Sequence, residues 1–106
     1  MKSKFLMIFV TCPSAQEAKR IAQSLLKMRL IACANIVRGV ESKFIWNGKA
    51  ASARETLIIM KTTAGNFRAV AEKIEDIHSY DVPEIIAVPV IKGNAAYLKW
   101  AAESVR

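Results

Sequence analysis

Ser42-Lys43-Phe44-Ile45-Trp46-Asn47-Gly48-Lys49 is the stretch whose reading decides the fold. Asn-Gly suits a two-residue type I′ turn, because both central residues need positive φ and these two tolerate it best. One strand therefore arrives at Trp46 and another leaves at Lys49. Working back from the turn, Ile31 to Trp46 is rich in β-branched and aromatic residues, and Arg38-Gly39 offers a place for a bulge or bend. Working forward, Lys49 to Thr63 carries the return strand, strongest at Thr56-Leu57-Ile58-Ile59-Met60. A hairpin of that length is longer than the core of a 106-residue chain can cover.

Upstream, Phe5 to Thr11 is continuously apolar and stops at Cys12-Pro13, as a buried strand does. Ser14 and Glu17 form a capping box, and Ala18, Ile21, Ala22, Leu25 and Leu26 share one face of a helix from Ala15 to Met28. Downstream, Asn66 caps a second helix whose stripe is Phe67, Val70, Ala71, Ile74 and Ile77. His78-Ser79-Tyr80-Asp81-Val82-Pro83 ends it. Glu84 to Ile91 is a fourth strand, with Pro89 placing it at a sheet edge, and Ala95 to Val105 is a last helix. The order β-α-β, hairpin, α-β and terminal helix predicts a single α+β domain over 1–106. It is the ferredoxin-like split β-α-β sandwich with a four-stranded antiparallel sheet, a long β-hairpin and an extra C-terminal helix. Two helices cover one sheet face, so the other face and the overlong hairpin call for neighbouring copies, and a homo-oligomer is expected.

Composition narrows the functional classes. Hydrophobic residues make up 53% of the chain, enough for one core, and no stretch has the makeup of a linker or disordered tail. The formal charge of +7 comes from sixteen Lys and Arg against nine Asp and Glu, scattered with no run of five, which is the pattern of a solvated surface. The strand Thr56 to Lys61 also lacks the aromatic pair that stacks bases, so nucleic acid is not an expected partner. Met1-Lys2-Ser3-Lys4 followed by Phe5 to Val10 faintly resembles a secretory signal, but the apolar run is short and the fold needs it as a strand. No segment has the ~20 apolar residues of a membrane span. With no export signal, cytoplasm and free thiols are expected.

Little in the chain points to covalent catalysis. His78 is the one histidine, and no nucleophile elbow, phosphate-binding loop, dinucleotide fingerprint, CxxC or HExxH motif occurs, so no enzyme is expected. Cys12, Cys33 and His78 are the soft donors, a set suited to copper or zinc, although free cysteines commonly serve only as core packing and a helix-terminal histidine as a cap. A second cluster gathers at the ends of the hairpin: Phe44, Trp46, Glu55, Lys61 and the turn with Tyr80, Pro83 and Glu84. Its two carboxylates, in apolar strands, need partners, which an intersubunit ion pair or pocket would supply.

These pieces together resemble the CutA family, the divalent-cation-tolerance proteins, over nearly the whole chain. The resemblance is carried by Thr11-Cys12-Pro13 with Glu17-Ala18, by Leu30-Ile31-Ala32-Cys33-Ala34-Asn35-Ile36, and by Ser42 through Lys49. Glu55 through Thr62, His78 through Ile86, and Tyr97-Leu98-Lys99-Trp100 complete it. It implies a ferredoxin-like subunit in a homotrimer whose hairpins complete neighbouring sheets, a role in divalent cation tolerance, and copper ligands at the positions of Cys12, Cys33 and His78. It also implies a likeness in shape to trimeric PII signal proteins. That gives the alternative of a regulatory module binding a small anionic ligand or a protein partner at intersubunit clefts lined by Trp46, Glu55, Lys61 and Tyr80. Ser79 stands where the family usually has Pro, Phe44 where Tyr is usual, and Arg54 where an acidic residue is usual.

Overall fold

In the structure, a computed structural model that describes residues 4–106, Asn47 and Gly48 take φ of 50° and 78° and join β2 (Cys33–Trp46) to β3 (Lys49–Thr63). The two strands pair antiparallel from Trp46 opposite Lys49 to Cys33 opposite Lys61. The register slips once, between Val37 and Val40, where Gly39 has φ 71°. Glycine enters that left-handed region without a Cβ clash, which is why the bulge falls there.

β1 (Phe5–Cys12) lies beside β3, and the edge strand β4 (Ile85–Val90) lies beside β1, giving the antiparallel order β2-β3-β1-β4. This is the split β-α-β arrangement expected from the element order. Pro89 sits in β4, where a missing N–H costs least. The opening Met1-Lys2-Ser3, weighed above as part of an export signal, lies outside the described residues; the apolar run after it is β1.

Strand alternation divides the sheet into two faces. Ile8, Val10 and Cys12 of β1, with Thr56, Ile58, Met60 and Thr62 of β3, face the helices α1 (Ala15–Lys27) and α2 (Phe67–Ile77). Those helices return Ala18, Ile21 and Leu25, and Val70 and Ile74, to the same core. Each fully buried aliphatic side chain contributes about 1.5–3 kcal/mol relative to exposure. The opposite face carries Phe9, Ile59, Val37, Ile86 and Val88 and is not covered by α1 or α2; Ile86 remains 54% exposed.

Two caps differ from their sequence reading. Ser14 accepts the Glu17 N–H at 3.1 Å as expected, but the Glu17 carboxylate turns away to Ser79 instead of returning to Ser14. Asn66 makes no cap bond. It ends a short 3₁₀ turn, Ala64–Asn66, with helical backbone angles of φ −91° and ψ −5° instead of the extended geometry of a cap, and its Nδ2 donates to the Leu30 carbonyl and Thr62 Oγ1, each at 3.4 Å. The last helix, α3 (Ala95–Ser104), is capped by Asn94 Oδ1 accepting from the Tyr97 N–H at 3.1 Å. No described helix is long and apolar enough to cross a membrane.

Candidate metal centre and adjoining groove

Cys12 closes β1, Glu17 lies in the first turn of α1, and His78 follows the last turn of α2, so three element ends converge. One donor atom from each of these buried residues lies within 4.8 Å of the others. Among the described residues this is the one such group. The sequence reading takes Glu17 as half of a capping box and as part of the family pattern, not as a ligand. Its place here became visible once the 78–80 turn was positioned against α1.

His78 and Glu17 each have protein partners. His78 Nε2 donates to the Thr11 carbonyl at 2.8 Å, and Nδ1 accepts the Tyr80 N–H at 3.0 Å, which fixes the Nε2–H tautomer. Nδ1 also stands 3.4 Å from Glu17 Oε2, an ion pair only if the ring is protonated. Glu17 Oε2 accepts both the N–H and the hydroxyl of Ser79, each at 3.0 Å. A proline at 79 could donate neither bond, so the departure from the family pattern supplies this anchor.

Burial alone would raise the Glu17 carboxyl, but the two Ser79 bonds, with Arg20 at 3.9 Å, outweigh it and hold it below its ordinary range. Burial pushes the Cys12 thiol up to about 12, with the Glu17 and Glu55 carboxylates adding to the effect.

Cys33 is elsewhere. It pairs across the sheet with Lys61, while Cys12 pairs with Thr56. Thr56 and Lys61 are an odd number of positions apart on β3, so their side chains and the two cysteines paired with them occupy opposite faces. Cys33 Sγ receives the Lys61 ammonium at 3.6 Å and the Tyr97 hydroxyl at 3.7 Å, while Lys61 also reaches Asn35 Oδ1. The hydrogen bond to Cys33, then burial, raises the Tyr97 phenol. Of the three residues read as soft donors, the structure therefore brings together Cys12 and His78, adds Glu17, and keeps Cys33 apart within one chain.

Tested by donor chemistry, the cluster fits a borderline divalent ion: one sulfur, one imidazole nitrogen and one carboxylate, all buried. Holding such an ion requires Cys12 to release its proton and Nδ1 to release the Tyr80 N–H.

Beyond Cys12 the hairpin outruns β1, and a groove of about 880 Å³ opens between it and the segment leading into β4. Phe44, Trp46, Glu55 and Tyr80 line it. Tyr80 donates to Glu55 Oε2 at 2.7 Å, and burial followed by that bond pushes its phenol up to about 12. Lys61, grouped with this cluster in the sequence, is not among the lining residues; it lies about 20 Å further along β3 at ~3.3 Å per residue, beside Cys33.

A family model for the CutA1 divalent ion tolerance protein matches residues 6–104. The chain belongs to the CutA1 family. The "Divalent-cation tolerance protein CutA" of Thermus thermophilus is 40% identical over 98 residues, covering 92% of this chain and 95% of that one. A structure from the same organism superposes with a TM-score of 0.94 at 38% identity, over 96% of this chain and 99% of that one. "Protein CutA 1, chloroplastic" of Oryza sativa is 42% identical over 95% of this chain. This CutA1-family chain spans just over half, 57%, of that plant relative's length.

Proposed function

We propose that this chain is a binding protein of divalent cation tolerance, and that it holds a borderline ion such as copper or zinc at Cys12, Glu17 and His78. The observation that carries this reading is the convergence of the three buried donors within 4.8 Å. Binding without covalent catalysis fits the same geometry. The only imidazole has both nitrogens engaged, and the neighbouring thiol, pushed up to about 12, is no nucleophile near neutral pH. Cys33, on the other sheet face, does not join the ion within one chain. Two free thiols suit a reducing compartment, and cytoplasm is the proposed location.

Equilibrium dialysis with Zn(II) and Cu(II), followed by metal analysis, tests the site. One ion per chain is expected, lost in Cys12→Ser and in His78→Ala and retained in Cys33→Ser. Because the thiol proton must leave, affinity should rise steeply with pH. Unchanged affinity in both Cys12→Ser and His78→Ala removes the proposed centre.

The functional unit in this proposal is a homotrimer of one domain, 1–106. The apolar sheet face opposite α1 and α2, where Ile86 is still 54% exposed, and a hairpin tip with Ile45 71% exposed support it, since surfaces of this kind are normally hidden by association. A second reading, a PII-like regulatory module with a small ligand in clefts between copies, is favoured by the groove beside Glu55 and Tyr80.

A further inference from the structure

The groove carries a charge that the rest of the chain does not lead one to expect. On a protein of formal charge +7, its lining holds three carboxylates, Glu55, Asp81 and Glu84, and one lysine, Lys43. That lysine is already directed elsewhere, to Glu41 at 3.7 Å and Ser52 at 3.4 Å.

Glu55 is the critical group. It is 8% exposed, the Tyr80 hydroxyl at 2.7 Å is its side-chain hydrogen-bond partner, and among the described residues no Lys, Arg or His pairs with it. A carboxylate this buried ordinarily has a cation or several N–H donors against it. Tyr80 donates through a neutral hydroxyl and so supplies no positive charge. A bare metal ion is a poor candidate for the missing charge, because the one close group of three metal-type donors among the described residues is Cys12, Glu17 and His78. The groove's own carboxylates do not converge in that way. Its lining is aromatic instead: Trp46 and Phe44 are both exposed along the hairpin, and Tyr80 lines the same cavity. Aromatic faces around a carboxylate form the donor set for an organic cation, and about 880 Å³ accommodates a small molecule.

We propose that this groove binds a small organic cation, an ammonium or guanidinium group on an apolar body, with Glu55 as its counter-charge and Trp46 and Phe44 as its walls. This rests on the second reading above only in taking the groove to be open to a ligand, and it reverses the charge that an anionic ligand would require.

Trp100→Phe leaves Trp46 as the sole indole, so its fluorescence reports on the groove. The assembled protein is titrated in parallel with phenethylamine, agmatine and, as the anion, citrate. Saturable quenching by at least one of the two cations is expected, weakened at least tenfold by Glu55→Gln and progressively by added salt. Should Glu55→Gln fail to fold, the rim pair Asp81→Asn with Glu84→Gln should weaken binding severalfold. Saturation by citrate alone would sink the cation proposal and leave the second reading standing, whereas no response to any of the three would sink both. Cation binding unchanged in Glu55→Gln, with the assembly dispersing in light scattering, would show that a neighbouring copy neutralises Glu55 and would overturn the assignment.

Discussion

β3 passes through two environments. From Thr56 to Thr63 it has β1 along one side, β2 along most of the other, and the helices over one face. From Lys49 to Glu55 it has β2 alone. The first half alternates between buried and half-buried side chains, while most of the second is exposed until Glu55. The inner half draws its order from burial of its own side chains. The outer half has the ladder of one two-stranded ribbon, which is marginal by itself. The subunit is elongated, 44 Å along its longest axis against 29 and 23 Å along the others, and the ribbon extends past the end of β1.

The largest effect should come from breaking the inner half. Ile58 is fully buried between β1, β2 and the helices. Ile58→Ala should cost about 2–5 kcal/mol, the lost transfer energy plus the cavity left behind, read as a lower denaturant midpoint at unchanged slope. Ala51→Gly in the ribbon, half-buried and with little side chain to lose, should cost well under half of that. Comparable losses at the two positions would mean that the ribbon is as strongly held within one chain as the core.

A smaller effect separates the two sheet faces. Ile86→Lys places a charge at an exposed position on the sheet face away from α1 and α2, outside the helix-side core. Light scattering should show self-association weakened at least tenfold, about 1.4 kcal/mol, with the circular dichroism of the subunit retained. Loss of folded signal at concentrations where the wild type is assembled would instead mean that the subunit does not stand without its neighbours.

The same contrast explains what could be read from the sequence. The β3 run, the Asn47-Gly48 turn, the Gly39 bulge, Pro89 at an edge and the α1 stripe were legible because each is a local rule: period, positive φ or a missing N–H. Asn66 misled because its backbone in the folded chain is helical rather than extended, so a good cap residue does not cap. Cys12 and His78 could be named as soft donors, but their separation from Cys33 follows from the pairing of β2 with β3, a parity that composition does not carry. Glu17 went unseen for the related reason that a first-turn acid is equally consistent with capping, and its true partner, Ser79, is 62 residues away.

The finest test lies where the two environments meet, because the titrating groups collect at the end of β1. The Cys12 thiol stands at about 12 when folded against 9.0 ordinarily, so the folded state holds its proton more tightly than the unfolded chain does. Its contribution to stability is therefore complete below pH 9 and is lost as pH rises from 9 toward 12. Tyr80, raised from 10.0 to about 12, adds a loss of the same sign that begins one pH unit later. Glu17 acts in the opposite direction: its lowered carboxyl contributes above its ordinary range and loses that contribution as pH falls through the folded value. Thermal unfolding followed across pH should thus weaken at both extremes. Cys12→Ala should flatten the alkaline limb by on the order of 1 kcal/mol between pH 9 and 10 and leave the acid limb alone, while Glu17→Gln should flatten only the acid limb. If Cys12→Ala left the alkaline limb unchanged, the thiol would not be the group that couples this junction to pH, and the cost of ionising it beneath the hairpin would have to fall on Tyr80.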